Sequence, residues 1–274
     1  MFTIIIWDPD PIITEIGGFA LRWYSILFAT GFVISFFILR RLFEKENVSN
    51  IVLDKMLLYS VIGTILGARI GNCLFYDFAY FSQHPLEILL PFKFEPEFHF
   101  TGYRGLASHG AMLGLLVAYW LLSRKREQSM LWFLDKGAIA GGLCLASIRM
   151  GNFMNAEIVG APTDVSWAFI FPAVDNIPRH PVQLYGFVAY LSLFFFMLRY
   201  NKLNFGKVKD GHIFGMFILL LGTIRFFMEF IKRHYIIDAE NLLNMAQYLS
   251  IPLIVFGFIL AYKTKQSTIR SQQL

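Results

Sequence analysis

The stretch RMGNFMNAEIVG, residues 149–160, sets an arginine, two asparagines and a glutamate directly after the apolar run GAIAGGLCLASI. An ionised side chain near a bilayer centre costs at least about 2.5–3.5 kcal/mol, so such groups normally face a protein interior or a wet cavity. The guanidinium of Arg149 is a planar fork that matches phosphate oxygens two at a time. Asn152 and Asn155 can bond hydroxyl groups or cap a helix end, and Glu157 can answer a cation. Two more arginines fall in or beside apolar runs. Arg225 in GTIRFFMEF stands four residues before Glu229, on one helical face. They form either a structural ion pair or a phosphate-binding fork steadied by a carboxylate. Arg69 in GARIG sits among Gly67, Ala68 and Gly71, which allow close helix approach. His109 in ASHGAMLG is the side chain best suited to move a proton near neutral pH, or else a histidine simply bonded to a neighbour. Arg179 and His180 in RHPVQLYGF precede Pro181, which fits a helix's first turn. They read as interface anchors or as headgroup contacts.

The elements that hold these groups are apolar. Of 274 residues 56% are hydrophobic and 16% charged, where a soluble domain carries roughly a quarter. The 30 phenylalanines suit lipid-facing surfaces, and Trp and Tyr suit the interfaces. A crossing helix needs about 20 apolar residues. That rule predicts an all-α polytopic membrane protein, one integral domain over 1–274, with seven spans near 19–40, 52–74, 105–123, 131–152, 181–200, 211–231 and 244–262. RRLFEKEN, SRKRE, RYNKLNFGKVKDG and YKTKQSTIR follow the first, third, fifth and seventh spans. They hold most of the 24 Lys and Arg residues. The positive-inside rule then places the N-terminus outside and the C-terminus in the cytoplasm. The two longest outer loops, 75–104 and 153–180, carry prolines, aromatics and scattered charge and are expected to form a small extracytoplasmic head.

Several functions are disfavoured. The net charge of +5 lies between apolar segments and forms no basic stripe with interleaved aromatics, so nucleic acid is not an expected partner. Cys73 and Cys144 lie inside apolar runs and read as small packed residues, not metal ligands. The first residues, MFTIIIWDPDPIITEIGG, lack a basic n-region and are broken by Asp and Pro, so the first span is expected to be an uncleaved helix. No G-x-S-x-G, H-E-x-x-H or P-loop is present. Any chemistry must run on Arg, His, Glu, Asn and Tyr.

RMGNFMNAEIVGAPT resembles the signature of the prolipoprotein diacylglyceryl transferases. It keeps Arg149, Gly151, Asn152, Phe153, Asn155, Glu157 and Gly160, with Ala156 where the family usually has glycine. RWYSILFATGF resembles the first-span element with its functional tyrosine, here Tyr24. GARIGNCLFY carries Arg69, ASHGAMLG the family's essential histidine, here His109, and GTIRFFMEF the late arginine and glutamate, here Arg225 and Glu229. RHPVQLYGF resembles the element with His180 and Gln183, with Val182 and Gly186 as departures. Leu221 stands where some members have tyrosine. The resemblance runs from about residue 20 to 260.

The resemblance implies a bacterial inner-membrane enzyme for the first step of lipoprotein maturation. Its substrates are phosphatidylglycerol and a prolipoprotein signal peptide with a lipobox cysteine, in the presence of membrane lipids. A diacylglyceryl group moves to the cysteine thiol as glycerol phosphate leaves. In that reading Arg149 binds the phosphodiester. Asn152 and Asn155 hold headgroup hydroxyls or cap the helix. Glu157 pairs with a cation or with those hydroxyls. Tyr24 orients a substrate group, His109 is the base, and Arg225, steadied by Glu229, stabilises the leaving phosphate. Arg69, Gly160, His180 and Gln183 complete the substrate-binding set. No metal or cofactor is required. A lipid or solute transporter lined by the intramembrane arginines, and a catalytically silent lipid-binding relative, are the alternatives.

Overall fold

A computed structural model of the chain describes residues 5–17, 19–90, 92–93, 98–100, 105, 107–232 and 243–271. The long helices are α1 (Trp23–Lys45), α2 (Asn50–Phe75), α6 (Met130–Met154), α7 (Val182–Leu203), α8 (His212–Met228) and α9 (Met245–Ser271). A 3-10 turn, Glu229–Ile231, extends α8. Among the described residues these six are long and apolar enough to cross a membrane, which makes the chain a helical, multi-pass membrane protein. Each overlaps an expected span. The remaining one, 105–123, is helix α5 (Ser108–Ser123). Its 16 residues make it about 24 Å long, shorter than a hydrocarbon core of about 30 Å.

Short strands accompany the helices. β2 (Ile12–Ile16) and β3 (Phe19–Arg22) form an antiparallel hairpin that ends where α1 begins. The first helix therefore starts at Trp23 and not at residue 19. β1 (Ile5–Ile6) pairs in parallel with β6 (Phe169–Ile170), which ties the N-terminal segment to the 153–180 loop. The 75–104 loop contains α3 (Phe78–Phe81), α4 (Leu86–Leu89) and the paired strands β4 (Phe92–Lys93) and β5 (His99–Phe100). The expected head rests partly on positions 91, 94–97 and 101–104 of that loop, which lie outside the described residues.

The chain forms two compact units, 40–134 and 1–39 with 135–274. In the first, α2 packs on α5 through small residues. A Cβ on Gly63 would lie 2.6 Å from that of Ala118, and one on Gly71 2.7 Å from the Cα of Gly110. Only glycine permits backbones this close, the small-xxx-small device of membrane helices. Arg69 is buried here. Its Nε and Nη2 donate to the carbonyls of Ile88 (3.1 Å) and Glu87 (2.6 Å), and its guanidinium lies over the Phe81 ring. It braces the turn around α4.

In the second unit, α1 lies along α6, with the Ser35 hydroxyl donating to the Ala140 carbonyl. The start of α8 has only Gly211 as its cap residue, which has no side chain to offer. Asp135 on α6 does that work: its carboxylate accepts the amides of Gly211 (2.8 Å) and Phe214 (2.6 Å). These are two of the donors that a helix start leaves free. Buried His212 then joins Tyr200 on α7 to the Ala261 carbonyl on α9.

Candidate active site

Helix α6 carries Arg149, Gly151 and Asn152 into its last turns and ends at Met154. The ending is specific. Ala156 has φ +52, its amide bonds the Phe153 carbonyl, and the Glu157 amide bonds the Asn152 carbonyl. That pair of bonds is the Schellman ending, which calls for a left-handed residue at the position of Ala156. Glycine takes this conformation freely, which fits the glycine that the resemblance leads one to expect there. Alanine pays about 1 kcal/mol for it. Ile158 also has positive φ, +55, rarer still for a β-branched residue. The turn 156–158 is strained and must be held from outside.

Its holders are the candidate residues. The Glu157 carboxylate accepts the amide groups of Asn152 (2.8 Å) and Asn155 (3.2 Å). The Glu157 carbonyl accepts the side-chain amide of fully buried Gln183, at 2.6 Å. Glu157 thus takes neutral amides where a cationic partner was one expectation. These bonds also orient the three side chains. With every NH₂ group turned to Glu157, the carbonyl oxygens of Asn152, Asn155 and Gln183 point elsewhere. All three are buried with no hydrogen-bond partner, and so is Nη1 of Arg149 one turn earlier. Buried polar atoms are rarely left so. Three hydrogen-bond acceptors beside one cationic fork suit a ligand that brings hydroxyl donors and an anion.

Close packing surrounds this set. A Cβ on Gly151 would lie 2.6 Å from the Tyr24 ring, so the tyrosine of α1 rests directly on the site helix. A Cβ on Gly186 would reach 3.0 Å from Cδ of Arg149, whose guanidinium lies 5.7 Å from the centre of the Tyr190 ring. A Cβ on Gly160 would sit 2.6 Å from Val182 and 2.7 Å from Cβ of His180. Gly160 therefore serves through close approach. Its carbonyl accepts Nη1 of buried Arg179, which also pairs with Asp175 at 2.7 Å. Arg179 is thus an internal brace of the 153–180 loop, its guanidinium turned to Gly160 and Asp175 and away from the surface where an interface anchor or a headgroup contact would sit. His180 reaches the Tyr185 hydroxyl (3.2 Å), which accepts the Trp167 indole N–H (2.7 Å).

The end of α8 joins the same region through a bridge between Gly160 and Lys232 and the Ala161 amide bonded to the Ile231 carbonyl. Arg225 is exposed there. The expected pair of Arg225 with Glu229 is not formed: Glu229 pairs with Lys232. The cause is the 3-10 turn. Three residues per turn stack positions i and i+3, which sets Lys232 against Glu229. Burial pushes the Lys232 ammonium below the usual lysine range, Glu229 opposes this, and Arg149 and Arg225 add repulsion. Two arginines thus act on Lys232 beside its partner Glu229. His109, in the other unit, is exposed in the first turn of α5. Lys232 stands three residues after Glu229, a spacing visible in the sequence, and Tyr185 lies within RHPVQLYGF; Trp167 carries no such signal.

A profile of the prolipoprotein diacylglyceryl transferases matches residues 11–263. The chain belongs to this family. A phosphatidylglycerol–prolipoprotein diacylglyceryl transferase of Bacteroides fragilis is 40% identical over 267 residues, 95% of this chain and 96% of its own. Proteins of that name from Tolumonas auensis and Chloroherpeton thalassium are 38% and 39% identical, over 94% and 95% of this chain and 96% and 94% of theirs. The segment that resembles the family's signature, 149–160, carries the Schellman ending and three of the four unsatisfied polar atoms described above, Gln183 supplying the fourth.

Proposed function

We propose that this chain is a transferase that moves the diacylglyceryl group of phosphatidylglycerol to the lipobox cysteine of a prolipoprotein signal peptide, the first step of lipoprotein maturation. The observation that carries the reading is the set of unpartnered atoms: Nη1 of Arg149 with the carbonyl oxygens of Asn152, Asn155 and Gln183. The two free glycerol hydroxyls of the headgroup donate into this set of acceptors, one hydrogen bond each, and the phosphodiester takes the guanidinium. Arg149, Arg225 and Lys232 together disfavour a headgroup with its own ammonium.

The thiol must lose its proton, because the thiolate is the nucleophile. His109 is the proposed base. The sulfur attacks the diacylglycerol carbon next to the phosphate. A carbon–sulfur bond forms, the carbon–oxygen bond breaks, and the electron pair leaves on the phosphate oxygen of glycerol phosphate. Charge gathers on that oxygen, where fixed cations act most strongly. Arg149 and Arg225 supply them, and Tyr24, resting on Gly151, orients the headgroup. The basic loops support an N-terminus outside and a C-terminus in the cytoplasm of a bacterial inner membrane.

The test is transfer by purified protein to a lipobox peptide, from phosphatidylglycerol and from phosphatidylethanolamine, for wild type and Arg149→Lys. The expected result is transfer from phosphatidylglycerol only, and a loss of at least about tenfold in Arg149→Lys, since lysine keeps the charge but not the fork. Equal use of both lipids, or full activity of the lysine variant, contradicts the reading.

A further inference from the structure

The N-terminal segment lies far from the signature in sequence and touches it in space. The Trp7 indole stacks on Phe153 with centroids 4.3 Å apart, and its Nε1–H donates to the Phe153 carbonyl at 3.0 Å. The Trp7 amide bonds the Ile170 carbonyl at 2.8 Å, continuing the pairing of β1 with β6. Phe169 meets the indole edge-on, and Phe153, Val159 and Phe171 form the buried core beneath. Phe153 lies between Asn152 and the strained turn, and its carbonyl is the one that the Ala156 amide also bonds. Trp7 therefore grips the end of α6 where Ala156 takes a left-handed conformation.

We propose that Trp7 is a positioning residue: stacked on Phe153 and bonded to its carbonyl, it holds the left-handed turn Ala156–Ile158 so that Glu157 stays on Asn152 and Asn155. It acts through these residues and touches no substrate. The role in transfer rests on the function proposed above; the role in holding the turn does not.

Two measurements keep these apart. Hydrogen exchange follows the amides of Asn155 and Glu157, which bond the Gly151 and Asn152 carbonyls. Steady-state transfer gives KM for phosphatidylglycerol and kcat. Trp7→Ala is expected to speed exchange of 150–160 by about tenfold, with the middle of α6 and α8 unchanged, and to raise KM about tenfold with kcat within about threefold. Trp7→Phe, which keeps the stack and loses the N–H, falls between. Adding Ala156→Gly to Trp7→Ala removes the strain and restores exchange and KM to within about threefold of wild type. Uniform loss of protection along α6 and α8 would reduce Trp7 to a general stabiliser, and unchanged exchange at 150–160 would overturn the proposal. If wild type transfers nothing, the proposed function fails and exchange alone decides the role of Trp7.

Discussion

Replacing Gln183 by methionine separates the site's geometry from the stability of the fold. The side chain is fully buried, and its amide makes the bond to the Glu157 carbonyl at 2.6 Å. Methionine has nearly the same length and no polar group. The Glu157 carbonyl then loses its donor, at a cost of about 1 kcal/mol, or up to about 3 kcal/mol if it stays dry. The unpartnered Gln183 carbonyl oxygen disappears as well. In the empty protein that removal offsets the lost bond, so melting in detergent should shift by no more than a few degrees. With lipid bound there is no offset, because in the proposed complex the same oxygen accepts from a headgroup hydroxyl. A deficit of about 1–2 kcal/mol in the complex corresponds to roughly 5–30-fold in KM, as about 1.4 kcal/mol is tenfold. The assay is transfer against phosphatidylglycerol concentration in mixed micelles, beside a melting curve. An unchanged KM, or a large drop in melting temperature with KM intact, would refute this reasoning.

His109→Gln should keep a hydrogen-bonding shape yet slow transfer by about 10²–10⁴-fold, with lipid binding retained. Raising the pH should partly rescue it, since a free thiol of pKa about 8.5 then ionises unaided; a wild-type rate or lost lipid binding would remove His109 as the base. Asp135→Ala strips two amides at the start of α8 of their acceptor, and should lower stability by about 1–2 kcal/mol in melting experiments while leaving KM for lipid unchanged. A reporter active only in the cytoplasm, fused after Leu274, should give signal. A well-expressed silent fusion would overturn the orientation.

The long helices were legible because apolar windows of crossing length leave little choice. Their ends were less so. Phe19–Arg22 is as apolar as the helix it precedes, and only its pairing with Ile12–Ile16 makes it strand. The Arg225–Glu229 pair assumed an α-helix through Glu229, whereas the tightening after Met228 brings Lys232 instead. The signature itself was readable by residue type. The left-handed position filled by Ala156 needed the backbone. Asp135 capping Phe214 and Trp7 gripping Phe153 span 79 and 146 residues, and no local pattern encodes such contacts.

The central claim, attack of a thiolate on the glycerol carbon with phosphate departing, is tested most directly by an isotope. Phosphatidylglycerol carrying oxygen-18 between the diacylglycerol carbon and phosphorus is given to the purified protein with a lipobox peptide, and both products are weighed by mass spectrometry. The account predicts a peptide heavier by one diacylglyceryl group on its cysteine, with the whole label in the released glycerol phosphate. An unmodified peptide, a single acyl chain on the thiol, or label retained on the lipid product would contradict it.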